Sequence, residues 1–333
     1  MAFPVGSPWS GSTPSPAYSG VFIPEVWSGK LVEKFYAATV LGAIANTDYE
    51  GEIKNQGDKV KIRQRPTITI SDYSTDIDLT VQRPSVALLD LLIDQGKYFN
   101  LALDDVMEVQ SDIDLLSTWA EDASEQMKIS VDTDILGDNA ATGGLVNDSD
   151  IDSSNVGNTA GAISADIRLG IDGSPTFVNA AAQGTGAGND VSNDMAVVDY
   201  IINCGQVLDE QNIPETGRWM VIPAWLASRI KKSELKDASL AGDGTSIMRN
   251  GRLGMIDRFT LYLSNLLLPP SGYATAYPIL FGTKAALTFA SQFVKLETLR
   301  SERSFSNLLR GLQVYGFKIV NGVAIGNGFV SKG

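Results

Sequence analysis

Between Leu101 and Gly137 apolar residues return every three or four positions, at Val106, Val109, Ile113, Leu116, Ala120, Ala123, Met127, Val131 and Ile135. That spacing gathers them on one face of a helix. Asp104, Asp105 and Glu108 crowd the start, where the positive end of the helix dipole favours acids. Gly137, with Asn139 behind it, supplies a stop, since both tolerate the left-handed conformation that ends helices. A helix from Asp104 to Leu136 would be roughly 50 Å long at the usual rise per residue, against a common length of about 11–12 residues. Such a rod needs apolar surface along its whole length, so the rest of the chain is expected to pack around it.

The chain of 333 residues can bury a large core in two or three lobes. An apolar content of 44% with 20% charged residues excludes the disordered and membrane classes. No stretch approaches the roughly 18 apolar residues of a membrane span. Nothing at the N-terminus resembles a secretory signal, so cytoplasmic synthesis is expected. There is no histidine, which removes histidine-based triads, Cys–His pairs and histidine zinc sites. The single cysteine, Cys204, cannot close an intrachain disulfide and sits in a helical pattern, as a buried inert thiol would. Lys plus Arg is 26 against 39 Asp plus Glu, a net charge of −13 and the wrong sign for gripping a phosphate backbone.

Residues 1–20 are rich in Pro, Ser and Gly and uncharged, which reads as an extended arm. Pro24 suits the first turn of a short helix with Trp27, Leu31 and Phe35 on one face. From Asp48 to Asn100 the period falls to two. Lys59 to Arg65 alternates charged and apolar residues, and the alternation continues at Thr67–Ile70 and Asp76–Val81, with a turn expected near Asp72–Thr75. Charge is sorted along this hairpin. Lys59, Lys61, Arg63 and Arg65 lie on the first strand, while Asp72, Asp76 and Asp78 are expected across from them, each pair contributing roughly 0.2–1 kcal/mol. An isolated hairpin is marginal in water, so this one is expected either to lie on another surface or to form the solvated face of a larger sheet.

Residues 138–193, rich in Gly, Ala, Asn, Asp and Ser, read as an exposed insertion with a small turn at Asp172-Gly173. Then follow a helix (Met195–Leu208), a buried strand (Trp219–Ile222), a helix to Lys232, a loop (Ser233–Gly251), and strands at Phe259–Leu263 and Pro278–Gly282. That order describes an α/β lobe with a mixed sheet. Alternation at Leu312, Val314, Tyr315, Phe317, Ile319 and Val320 predicts strands returning to the long helix.

Motifs that could carry chemistry fall short. Asp148-Ser-Asp150-Ile-Asp152 begins like a calcium loop but has Ser153 and Thr159 where Gly and Glu are required. Gly184-Thr-Gly186-Ala-Gly188 lacks the strand before a dinucleotide turn. Ser233-Glu-Leu-Lys236 has neither companion motif of the acyl-serine enzymes. No catalytic residue, cofactor or metal is assigned, and the chain is not expected to be an enzyme.

The order of arm, short helix, charge-sorted hairpin, long helix, α/β lobe and returning strands resembles the major capsid protein of tailed double-stranded DNA phages, the Hong Kong 97-type capsid fold. Gly251-Arg-Leu-Gly254-Met-Ile-Asp-Arg-Phe-Thr-Leu-Tyr-Leu-Ser-Asn265 resembles the segment entering the axial-domain sheet. Arg310-Gly-Leu-Gln-Val-Tyr-Gly316 resembles the strand closing the peripheral domain. The resemblance implies an α+β chain divided into an N-terminal arm with a short helix (1–46), an extended β-hairpin loop (47–100), a spine helix of the peripheral domain (101–137), a flexible Gly/Asp-rich insertion (138–193), an axial domain (194–300) and return strands of the peripheral domain (301–333). It implies assembly into hexamers and pentamers of an icosahedral shell, in the virion and built in the host cytoplasm. That shell encloses DNA without sequence-specific binding, away from any membrane. A separate scaffolding protein, a portal and a decoration protein are the implied partners. Trp27, Lys59, Lys61, Arg63, Arg65, Asp72, Asp76 and Asp78 are the expected subunit-interface residues. The alternative is another virion component, a decoration or tail protein.

Overall fold

A computed structural model describes residues 36–37, 39–48, 59–66, 68–75, 81–86, 88–110, 114–137, 144–146, 148–180, 194–233, 254–302 and 304–332. The mixture of helix and sheet expected from the sequence is present, with some elements moved. A short helix α1 (Leu41–Ile44) precedes strands β1 (Lys59–Arg63), β2 (Leu88–Leu92) and β3 (Gln95–Asp104). Helices α2 (Asp105–Gln110) and α3 (Leu115–Leu136) follow. The long helix is therefore shorter than expected. Leu101–Asp104 belongs to β3, and α3 starts afresh at Asp114, whose carboxylate accepts the Ser117 N–H at 3.3 Å as an N-cap. Its 22 residues span about 33 Å. Among the described residues no helix is long and apolar enough to cross a membrane.

The remaining elements are β4 (Thr176–Asn179), β5 (Asp194–Ala196), α4 (Val197–Glu210), β6 (Arg218–Ile222), α5 (Ala224–Lys232), β7 (Met255–Ile256), β8 (Phe259–Leu263), β9 (Tyr277–Thr283), β10 (Leu287–Arg300), β11 (Ser306–Ile319) and β12 (Ile325–Lys332). Among the described residues they form a seven-stranded sheet in the order β5-β4-β12-β9-β6-β8-β7, an antiparallel sheet β10-β11-β3, and the pair β1-β2. β12 lies between β4, which it joins in parallel, and antiparallel β9. The return segment is thus split. β10 and β11 pair beside β3, whereas β12 enters the larger sheet instead of returning to the long helix.

Both faces of the seven-stranded sheet are covered, which is why Arg218–Ile222 is buried throughout. Trp219 and Val221 face a core shared with the end of α3 (Val131, Ile135, Leu136), α1 and the base of β10 and β11. Met220 and Ile222 face the opposite way, against Tyr200, Cys204 and Leu208 of α4 and Leu226 and Ile230 of α5. Cys204 is fully buried there, and burial pushes its thiol far above the usual range, so it packs as a small apolar group. The chain before the hairpin is tied to α3. Buried Asp132 accepts the N–H groups of Val40 (2.6 Å) and Leu41 (3.3 Å), and the Tyr36 hydroxyl donates to Asp122 (2.9 Å).

Residues 148–180 differ from the exposed insertion expected. The turn at Asp172-Gly173 forms, bracketed by mutual Ile171–Ser174 hydrogen bonds. The chain then enters the large sheet as β4, and Leu169 and Val178 are fully buried. The fully buried Asn155 donates to the carbonyls of Val323 (2.8 Å) and Ile325 (2.9 Å), which pins the segment to β12. The three acids of the calcium-like stretch are engaged locally. Asp148 accepts the Asp150 N–H, Asp152 accepts the Ser154 N–H, and Asp150 pairs with Lys318.

Glu210, at the end of α4, holds the same segment by accepting the N–H groups of Ile163 (2.8 Å) and Ser164 (3.0 Å). Partial burial opposes its ionisation, but these donors and Gln206 outweigh that and bring its pKa down to about 2. A carboxyl held below its unfolded value stabilises the fold at neutral pH and loses that contribution as the acid protonates. Glu210→Gln is therefore expected to lower stability at pH 7, with the deficit closing between about pH 5 and pH 2. Urea denaturation across that range checks it, and a deficit constant with pH would refute it.

Candidate assembly surface

The hairpin is built from two strands with one inward and one outward face. Val60 and Ile62 of β1 and Leu89 and Leu91 of β2 pack with Ile93, Ala290, Val314 and Val320 at the base of the three-stranded sheet. At that junction Gly316 is obligatory, because a β-carbon there would run into the Leu92 carbonyl. Gly311, four positions before Tyr315, leaves room for the Phe99 ring that lies across it. Both glycines of the Arg310–Gly316 stretch thus mark close approaches.

Outward, the register places Lys59 opposite Leu92, Lys61 opposite Asp90 and Arg63 opposite Leu88. Beyond β1 and β2 the Gln82 side-chain amide donates to the Thr69 carbonyl (2.7 Å) and accepts its N–H (3.2 Å). The chain therefore reverses between Thr69 and Gln82, which encloses the turn expected near Asp72–Thr75. The expected charge pairing is corrected. The acid facing the cations is Asp90, whose carboxylate is 3.7 Å from Lys59 Nζ with both side chains nearly half exposed. Asp72 lies on the outgoing arm and is exposed, as is Arg65. Trp27, Asp76 and Asp78 lie outside the described residues. Register follows burial here, because Leu89 and Leu91 are the β2 residues that meet Val60 and Ile62 on the packed face.

Beyond Arg63 the two arms carry large apolar side chains in solvent. Ile70 is 88% exposed, Val81 87% and Tyr73 76%. Ile70, Tyr73 and Val81, with the exposed Arg63 and Arg65, make these arms the candidate contact surface. Sequence reasoning missed Leu88 and Leu92, both about half exposed beside the cations. Their position after Pro84 and directly ahead of the Tyr98 strand was the available signal.

Among the described residues no cluster of acids and Cys could hold a metal ion. Ser233 of the Ser-x-x-Lys match is buried and donates to the Ile230 carbonyl, closing α5, while Lys236 lies outside the described residues.

No protein-family model and no curated protein matches the chain. Solved structures do. A chain from Mycobacterium phage Che8 is 24% identical with a TM-score of 0.68, covering 94% of this chain and 98% of that one. A chain of the capsid of cyanophage P-SCSP1u is 13% identical with a TM-score of 0.65, covering 94% of each. A chain from the capsid of the native GTA particle is 14% identical with a TM-score of 0.64, covering 97% of this chain and 99% of that one. This chain has their fold. The likeness extends over nearly the full length of this chain and of each neighbour, and the identities mean that it is carried by architecture more than by shared side chains.

Proposed function

We propose that the chain is the major capsid protein of a tailed double-stranded DNA phage, of the Hong Kong 97 type, and forms the icosahedral shell of the virion. The observation that carries this reading is the near-complete mutual coverage with capsid chains of separate particles. In this reading α3 with β3, β10 and β11 makes the peripheral domain. The seven-stranded sheet with α4 and α5 makes the axial domain, and the β1–β2 hairpin is the extended loop. The subunits form hexamers and pentamers in the host cytoplasm around a separate scaffolding protein, with a portal and a decoration protein as further partners. The hairpin overlaps a neighbouring subunit and covers Ile70, Tyr73 and Val81, which have no cover of their own. A net charge of −13 keeps an enclosed acidic polymer repelled from the wall. The role is structural and involves no catalysis.

Negative-stain microscopy and sedimentation of the purified chain, alone and co-expressed with the scaffold, test the reading. Closed shells or six-fold rings are the expected result. A homogeneous monomer even with the scaffold present would overturn it.

A further inference from the structure

Strand β10 is an outer edge of its three-stranded sheet. Asn46 closes the first part of that edge, donating its N–H to Leu287 (2.8 Å) and accepting that of Phe289 (2.9 Å). From Ala290 to Arg300 the same edge has no backbone partner among the described residues. An open edge of this length is a template for another strand, and proteins usually blunt it with proline or uncompensated charge. Here the one irregularity, a bulge at Ser291–Phe293, lies at the near end and leaves Phe293–Arg300 regular; there is no proline, and the two charges at the middle, Lys295 and Glu297, are of opposite sign, two residues apart and paired to each other. Leu296 between them is 60% exposed.

We propose that this edge pairs antiparallel with the same edge of a second copy of the chain, about a two-fold axis at Leu296. In that register Lys295 of each copy faces Glu297 of the other and Leu296 meets Leu296. Centring the axis on Lys295 would set ammonium against ammonium, and centring it on Glu297 would set carboxylate against carboxylate. The charge pattern therefore selects a single self-complementary register, as an isologous contact requires. The inference rests on the shell reading only in naming one seat at which copies meet.

Leu296→Cys tests it in purified chain and in assembled particles. Directly opposed antiparallel residues sit about 4.5–5.5 Å apart at Cα, within disulfide reach. The native Cys204 is buried, so the new thiol is the exposed one among the described residues. Mild oxidation is expected to give a disulfide-linked dimer. Thr298→Cys, whose copies would be displaced along the strands, is expected to give none. Lys295→Glu and Glu297→Lys are each expected to weaken dimerisation about tenfold, and the double swap to restore it. Shells that form without the Leu296→Cys crosslink would overturn the contact and leave the shell reading standing. Crosslinked dimers that never build shells would establish the contact and remove the shell reading. Single charge variants that dimerise like the native chain would overturn the register.

Discussion

Arg218→Ala is expected to cost about 3–5 kcal/mol of folding stability, a large share of the about 5–15 kcal/mol available to a folded domain. Arg218 is fully buried at the start of β6. Its guanidinium donates to the carbonyls of Ile213 (2.6 Å) and Pro214 (3.0 Å) and to Asp209 (2.7 Å). Truncation takes the guanidinium donor from the Ile213 and Pro214 carbonyls and opens a void beneath the sheet. Asp209 is partly exposed and keeps Arg258 at 2.7 Å, so Asp209→Asn should cost only about 1–2 kcal/mol. Partial burial opposes the ionisation of Asp209, and the bonds from Arg218 and Arg258 outweigh it and hold the carboxyl below its usual range. Its contribution is therefore present at neutral pH and lost on acidification. Urea denaturation with an unchanged m-value checks the ranking. Equal costs for the two substitutions would show that the buried carbonyls do not need the guanidinium.

That network also shows where the sequence could be read and where it could not. Trp219–Ile222 announced a buried strand by its unbroken apolar run, and the helices on either side showed their period, so α4, β6, α5, β8 and β9 were legible. Arg218 was not legible as interior although its acceptors, Pro214, Ile213 and Asp209, lie only four, five and nine residues back, because a charged residue at a strand start reads as exposed until the turn that brings them to it is known. The long helix failed at one end for a simpler reason. Leu101–Asp104 satisfies both a period of two and a helical spacing, and the decision came from pairing with Ser306–Leu309, some two hundred residues away. The true start was nonetheless written in Asp114 and Ser117, a cap pair of ordinary spacing. β4 could be read only as a short run, Pro175–Val178, behind the Asp172-Gly173 turn; its place in the large sheet was illegible because its neighbours are β12 and β5, and a parallel pairing leaves no hairpin signal. In the candidate surface the cations were legible by alternation. Their partner acid was not, since a register is fixed by which apolar residues find the core, and it is Leu89 and Leu91 that pack with Val60 and Ile62 there.

Reversing three of those cations together, Lys59→Glu, Lys61→Glu and Arg63→Glu, is expected to abolish closed shells while the subunit remains folded. The two halves of that expectation have separate physical grounds. All three side chains point outward and none reaches the core. The Lys59–Asp90 pair, at 3.7 Å with both groups nearly half in water, contributes below about 1 kcal/mol. Folding should therefore fall by no more than about 2 kcal/mol, chiefly from carboxylates now placed beside Asp90. Assembly is more sensitive, because a shell repeats each contact in every subunit and a small penalty per contact multiplies. A surface of three carboxylates beside Leu88 and Leu92, in place of the three cations, would meet its neighbour with the wrong sign, slowing encounter and weakening the docked state. Sedimentation and microscopy read assembly, and a thermal melt reads the fold. Lys59→Ala, Lys61→Ala and Arg63→Ala together should give an intermediate defect, since they remove attraction without adding repulsion. Salt near 1 M should slow assembly of the native chain towards that of the alanine variant, because the Debye length shrinks to about 3 Å. Normal shells from the glutamate variant would mean that the cations are only the solvated face of the hairpin, and the contact would then have to be carried by Ile70, Tyr73 and Val81 alone.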